Sequence, residues 1–279
     1  MRTHFLRGVF VALAMALAPA VLAGNASDDA SDPAYADGWQ NGDNGGSGFL
    51  PWSLSYSGAP PTFHSDHFID NAPLAANSLG APAFGMTDSG RAFFFDTAGA
   101  IRPFADPLAV GKTFEVDVDG AGFANGDPNP FTKGNVVALR NSASGGASVT
   151  ERFGIFTSNT NLNNNWGITA PTGVGNIDTG IPAGNSFHLS LTLTGAETYD
   201  VALTPIGGGA PLFSQSGLLR LSTAGTLISR VTFSEFGTGS AADGSSEMFL
   251  NNLSITPEPA SAVLATGAVI ALILARRRK

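Results

Sequence analysis

From residue 49 to residue 256 the chain never sustains a helical spacing of apolar residues; it alternates instead. Leu189, Leu191 and Leu193 alternate with Ser190, Thr192 and Thr194, then Gly195-Ala196-Glu197 precedes a second alternating run carrying Tyr199, Val201 and Leu203. Successive side chains on a strand point to opposite faces, so each run has one dry and one wet face, and the two read as a hairpin. The same signals predict strands over 91–96, 112–118, 135–140, 148–156, 186–194, 198–204, 227–236 and 248–255, with Gly and Pro marking the turns. Many alternating strands without intervening helices predict an all-β fold of two packed antiparallel sheets, a single sandwich domain over 49–256. No repeat of fixed period points to a propeller or β-helix. Residues 24–48, rich in Asp, Asn and Gly, read as a polar entry segment ahead of that domain.

The two ends are of a different kind. Met1-Arg2-Thr3-His4-Phe5-Leu6-Arg7 is cationic, an apolar run covers 9–18, and Val21-Leu22-Ala23 precedes Gly24. That order predicts a secretory signal peptide over 1–23, a short helix cut after Ala23 by a signal peptidase. At the other end, Pro257-Glu258-Pro259 leads into an uncharged stretch over 260–275, followed by Arg276, Arg277, Arg278 and Lys279. Sixteen helical residues rise about 24 Å against a hydrocarbon core of about 30 Å, a marginal transmembrane helix. The basic cluster acts as a membrane stop and leaves the tail cytoplasmic, with the body outside.

This three-part tail resembles the PEP-CTERM sorting signal of Gram-negative, exopolysaccharide-producing bacteria. The resemblance covers about the last 23 residues and implies that an exosortase, a membrane-embedded cysteine protease-like transpeptidase, removes the tail near Pro257-Glu258-Pro259. The body is then expected at the cell surface or released. The closing run Met248-Phe249-Leu250-Asn251-Asn252-Leu253-Ser254-Ile255 and the phrase over 38–49, with the strand order between them, look like concanavalin A-like jelly rolls of exported bacterial proteins. That second resemblance rests on pattern and covers most of the body.

Without the two ends, the body keeps eight Lys and Arg against 21 Asp and Glu, a charge of about −13. This disfavours nucleic acid and anionic membranes, which need clustered cations. With no Cys there are no disulfides, thiolate metal sites or thiol catalysis, so the core alone must stabilise the fold.

The segment Phe114-Glu115-Val116-Asp117-Val118-Asp119-Gly120 is expected to send Phe114, Val116 and Val118 into the core and Glu115, Asp117 and Asp119 to the opposite face. It is similar to the Glu-x-Asp-x-Glu pattern of laminarinase-type jelly-roll hydrolases. In them two carboxylates about 5 to 5.5 Å apart support a retaining mechanism. Here Asp119 is the shorter residue and Gly120 follows at once. Calcium, which takes about six to eight oxygen ligands, is the one candidate cofactor, on Asp117, Asp119 and Asp127. Glycan contacts are expected from the amide-rich run ending in Asn163, Asn165 and Trp166, although Trp166 also reads as a residue returning to the core. Trp39 and Trp52 fit core or rim equally. His64 and His67, on either side of Asp66, would face opposite ways on a strand, and His188 reads as a surface residue. No nucleophile elbow or phosphate loop is present.

The expectation is a non-enzymatic, exported envelope or matrix protein, with no catalytic residues, whose partners are the processing enzymes and an extracellular polysaccharide. A glycoside hydrolase using Glu115 and Asp117 is the alternative, as is a calcium-dependent lectin using loops around Asp119 to Asp127 and Asn161 to Trp166.

Overall fold

The computed structural model describes residues 25–57, 65–71, 78–88, 96–120, 134–141, 150–157, 165–171, 175–220, 227–237 and 246–257. In chain order the strands are β1 (Ala26–Asp28), β2 (Ser53–Ser57), β3 (Ser65–Asp70), β4 (Ala83–Asp88) and β5 (Asp96–Leu108). They continue with β6 (Lys112–Gly120), β7 (Gly134–Arg140), β8 (Glu151–Thr157), β9 (Asn165–Ile168) and β10 (Ile177–Pro182). The last five are β11 (Phe187–Leu193), β12 (Thr198–Thr204), β13 (Phe213–Leu218), β14 (Ile228–Gly237) and β15 (Ser246–Pro257). One sheet runs β13-β12-β11-β6-β15-β4-β3, with β1 also on β15; the other runs β10-β9-β8-β7-β14-β5-β2. The fold is therefore the expected all-β pair of antiparallel sheets.

Periodicity explains which strands were legible. The β11/β12 hairpin pairs Leu189, Leu191 and Leu193 with Leu203, Val201 and Tyr199, all buried, as the alternation predicts. By contrast β5 carries Gly99, Pro103 and Pro107 within a strand of 13 residues, so turn-type residues hide it. The predicted strand over 91–96 meets the described residues only at Asp96, where β5 begins. The segments predicted as signal and transmembrane helices lie outside the described residues; among those described, no helix is long and apolar enough to cross a membrane.

The inner faces of the two sheets meet through aromatic pairs: Trp166 on β9 against Phe187 on β11 at 5.1 Å, and Phe153 on β8 against Tyr199 on β12 at 5.1 Å. At the end of β6 a side chain on Gly120 would come within 2.7 Å of Asn135 Nδ2 and 2.8 Å of the Trp166 ring, so the close approach of β7 and β9 requires glycine there.

Residues 25–48 are part of the sandwich, which corrects their reading as a polar entry segment. Ala26 to Asp28 pair with Leu253 to Ile255, and Tyr35 and Trp39 are buried. Asp28 on β1 meets Arg102 on β5 at 2.8 Å, with neither side chain exposed. Tyr35 Oη donates to Asp28 and accepts from Trp52 Nε1 at 3.1 Å. Arg102 also donates to the carbonyls of Leu50 and Gly45 and to Asn44 Oδ1, and its guanidinium lies over the Phe49 and Trp52 rings. Composition marked this segment as polar, yet Asp28 and Tyr35 within it are buried and bonded around one buried cation.

Candidate functional site

The outward face of the larger sheet is built by the same alternation that builds the core. With Phe114, Val116, Val118, Leu189 and Leu191 fully buried, the residues between them point away from the sandwich. Cross-strand register then sets them in rows. One row reads Ser216, Asp200, Thr192, Thr113 and Thr256; the next reads Ser214, Ala202, Ser190, Glu115 and Ser254; a third reads Thr204, His188 and Asp117. Five strands at a spacing of about 4.8 Å make each full row about 19 Å long. Hydroxyls and carboxylates dominate these rows, which hold no Phe, Tyr, Trp, Lys or Arg; His188 is the one ring in them.

Two parts of this face have distinct geometry. Over β11, β12 and β13 lies an open groove of about 420 Å³ lined by Ser190, Thr192, Asp200, Ala202, Ser214 and Ser216, among others. Beside it, over β6, His188 bridges two carboxylates: Nδ1 is 2.8 Å from Asp117 Oδ1 and Nε2 is 3.5 Å from Glu115 Oε1. Asn252 Nδ2 donates to Asp117 Oδ2 at 2.7 Å, and Ser254 Oγ donates to Glu115 Oε2 at 3.0 Å. Asn252 reaches Asp117 because β15 carries one extra residue between the pairs Asn251–Asp117 and Ser254–Glu115. The bulge puts Asn252 at φ 53°, a left-handed conformation asparagine tolerates better than most residues.

Hydrogen bonds to Asp117 and Glu115 raise the His188 pKa to about 9, so the imidazole is charged at neutral pH. The hydrogen bond from His188 holds the Glu115 carboxyl below its usual range, helped by Ser254. His188 gains its partners on folding, so its contribution to stability is complete below about 6.5 and is lost as pH rises through about 9. Replacing His188 with Gln is therefore expected to destabilise the protein at pH 6 and to be nearly neutral at pH 10. Urea melts of both proteins at the two pH values check this, and an equal loss at both would contradict the bridge.

The predicted site residues distribute as follows. Glu115, Asp117 and Asp119 do share the outward face of β6, but they do not form an open cation site. Both oxygens of Asp117 are engaged by His188 and Asn252. Asp119 is 2% exposed and accepts from Ser78 N at 2.6 Å and Ser78 Oγ at 2.8 Å, while burial raises its pKa. Asp127 lies outside the described residues. Among the described residues no three His, Asp or Glu side chains are grouped to hold a metal ion. Trp166 is fully buried and so presents no ring to a sugar, which corrects its reading as a glycan contact. Asn165 Nδ2 donates to Asp178 Oδ1 at 2.9 Å, and Asn163 lies outside the described residues. Trp39 and Trp52 are core residues rather than rim. His67 is buried, hydrogen-bonded through Nε2 to the Gly99 carbonyl, and burial lowers its pKa to about 4. His64, Glu258, Pro259 and the basic residues 276–279 lie outside the described residues; Pro257 closes β15 opposite Lys112. What the sequence reading missed is the clamp itself. His188 occupies an outward position, and the outward carboxylates of β6 were recognised, but only the β11–β6 register brings them together.

No protein-family model matches the chain, and no curated protein is similar to it. Among solved structures, lectin II from Ulex europaeus is similar at 10% identity, over 84% of this chain and 97% of that one, with a TM-score of 0.44. The Ca²⁺-bound exoplasmic/lumenal domain of VIP36 is similar at 10% identity, over 74% and 83%, with a TM-score of 0.45. A family 11 carbohydrate-binding module from Clostridium thermocellum, in complex with a beta-1,3-1,4-mixed-linked tetrasaccharide, is similar at 8% identity, over 74% and 88%, with a TM-score of 0.32.

Proposed function

We propose that this chain is an exported, non-enzymatic jelly-roll protein of the concanavalin A-like kind, sorted to the cell surface or beyond, that binds an uncharged extracellular polysaccharide. The observation that carries the binding reading is the groove over β11, β12 and β13. It offers hydroxyls and the Asp200 carboxylate and no lysine or arginine. Such a lining suits a ligand rich in hydroxyls, each able to donate and accept. Anionic polymers are disfavoured by a body of about −13, which also keeps the protein soluble at high density in a matrix. Retardation of the protein in native gels cast with a neutral glucan, and none with an acidic polysaccharide, is the expected outcome. Equal mobility in all gels would overturn the binding reading.

The sorting reading is supported by the tail motif alone. Intact mass of the protein from membrane and medium of its host tests it. The expected product lacks residues 1–23 and ends near Pro257-Glu258-Pro259, whereas retention of 260–279 in the membrane fraction would overturn processing.

A hydrolase reading has one observation in its favour: the Glu115 carboxyl is held low and that of Asp119 is raised, the kind of split a nucleophile and an acid need. Against it, Asp119 is covered and bonded to Ser78, and the pair Glu115 and Asp117 is already engaged by His188, with Asn252 on the second oxygen of Asp117. The clamp is better read as a brace that fixes β6, β11 and β15 beneath the polar rows.

A further inference from the structure

One end of the sandwich is assembled from the β5–β6 turn, the starts of β8 and β14, and the ends of β7, β13 and β15. Lys112 N donates to the Ala109 carbonyl to close that turn, and Lys112 pairs with Pro257, the last residue of β15. Leu108 pairs with Ile228 at the start of β14, and Arg140 at the end of β7 lies between Glu151 on β8 and Arg230 on β14. Five of the body's eight Lys and Arg stand at this end: Lys112, Arg140, Arg152, Arg220 and Arg230. The mean charge that disfavours an anionic membrane hides this gathering.

Two of these cations are left without an anion. Arg152 is bonded to Glu197 and Arg220 to Glu151. Arg140 and Arg230 oppose each other across β7 and β14, and with Leu139 and Val231 buried in the core they point away from it. Among the described residues neither makes an ion pair, and the connecting stretches 141–150 and 221–229 hold no Asp or Glu. Like charges directly opposite are unfavourable in a sheet, and burial together with the Arg140 charge lowers the Arg230 pKa. Asp106 is exposed on β5 at this end, one carboxylate against two arginines, while Asp200 belongs to the outward face of the other sheet.

The same end exposes apolar side chains: Val110 in the turn at 56%, Leu218 closing β13 at 60% and Leu227 ahead of β14 at 58%. The direction of the chain adds a third observation. β15 ends at Pro257, and only Glu258 and Pro259 separate it from the uncharged stretch over 260–275. Three residue steps span at most about 11 Å, so a tail seated in a bilayer holds this end of the sandwich against the bilayer surface. We propose that this end is a docking face for an anionic phospholipid surface, with Arg140 and Arg230 on lipid phosphodiesters and Val110, Leu218 and Leu227 seated among the headgroups. The planar guanidinium fork matches a phosphate, and an anion shared by the two arginines removes the repulsion that the fold leaves between them. Asp88 and Glu247 lie at the other end, about 27 Å away along β6, beyond a Debye length of about 8 Å. The choice of a membrane as occupant rests on the tail reading; the unpaired arginines do not.

The chain has no Cys, so Leu227→Cys, or Leu212→Cys at the opposite end, carries a single environment-sensitive dye. The full chain is reconstituted into vesicles of phosphatidylcholine with or without phosphatidylglycerol. With phosphatidylglycerol the dye at 227 is expected to shift to the blue and to be quenched by nitroxide-labelled lipid, while the dye at 212 stays as in water. R140Q/R230Q is expected to lower the 227 contact about thirtyfold, each cation at an anionic surface being worth about fivefold, with near-UV circular dichroism unchanged. A dye at 227 that stays as in water, or that behaves as at 212, overturns the docking face. Equal contact in phosphatidylcholine alone, or in R140Q/R230Q, overturns the recognition of phosphodiesters by the arginines. Flotation with the vesicles in about 0.5 M salt, where surface charges are screened, tests the tail separately. A chain that does not float there overturns the tail reading, and a blue shift at 227 in low salt then still supports the face.

Discussion

Replacing Arg102 with Met is expected to remove about 3–5 kcal/mol of folding stability near pH 8, because it leaves the Asp28 carboxylate buried without its cation. The change also deletes the donors to Leu50, Gly45 and Asn44 that hold the segment 44–50 against β5. The size of the loss depends on pH in a known direction. Burial raises the Asp28 pKa to about 6, and Arg102 opposes that rise. Since the folded value lies above the ordinary value of 3.8, this carboxyl favours the fold most when protonated, and that contribution is lost as pH rises through about 6. In Arg102→Met the opposing cation is gone, the carboxyl protonates more readily, and the penalty is smaller at pH 5 than at pH 8. Asp28→Asn should cost less than Arg102→Met, since the guanidinium keeps its other acceptors. Urea melts of the parent and both variants at the two pH values check this; a loss below about 1 kcal/mol at pH 8 would show that the pair does not hold the fold.

The second large effect is on binding. Ser190 lies at the centre of the middle row, between Ala202 and Glu115, and lines the groove without entering the core. Ser190→Tyr fills the groove and is expected to weaken glucan binding about a hundredfold, which corresponds to about 2.7 kcal/mol. Asp200→Ala removes one charged acceptor, worth about 1.5–3 kcal/mol when hydrogen-bonded, and is expected to cost about tenfold or more. Neither change touches a buried side chain, so melting temperatures should stay near that of the parent. Binding unchanged in both variants would place the ligand elsewhere on the molecule.

How far the sequence speaks depends on the range of the interaction. The β11/β12 hairpin and the inward Phe114, Val116 and Val118 were legible because alternation is a property of neighbouring residues. The strand β5 was not, because Gly99, Pro103 and Pro107 read as turns; in fact Gly99 pairs with Ser234 and Ser55, Pro103 pairs with Arg230 and accepts from Leu50 N, and Pro107 falls in the irregular stretch of register before Leu108. The outward carboxylates of β6 were legible for the same reason as the core. Their partners were not: His188 is 71 residues from Asp117 and Asn252 is 135 away, and only sheet order and a one-residue bulge bring them together. The aromatic residues misled in the opposite sense. Trp166 follows a run of amides that suits a sugar, yet a ring of that size beside Phe187 lowers the free energy far more by burial than by exposure.

The most direct measurement is titration of a neutral glucan into the full chain and into Ser190→Tyr, with reducing ends assayed in the same samples. Saturable binding by the parent, lost in the variant and without release of reducing ends, is the result expected of a binding groove on the larger sheet. Release of reducing ends that disappears in Glu115→Gln, or saturable binding that Ser190→Tyr leaves intact, would contradict it.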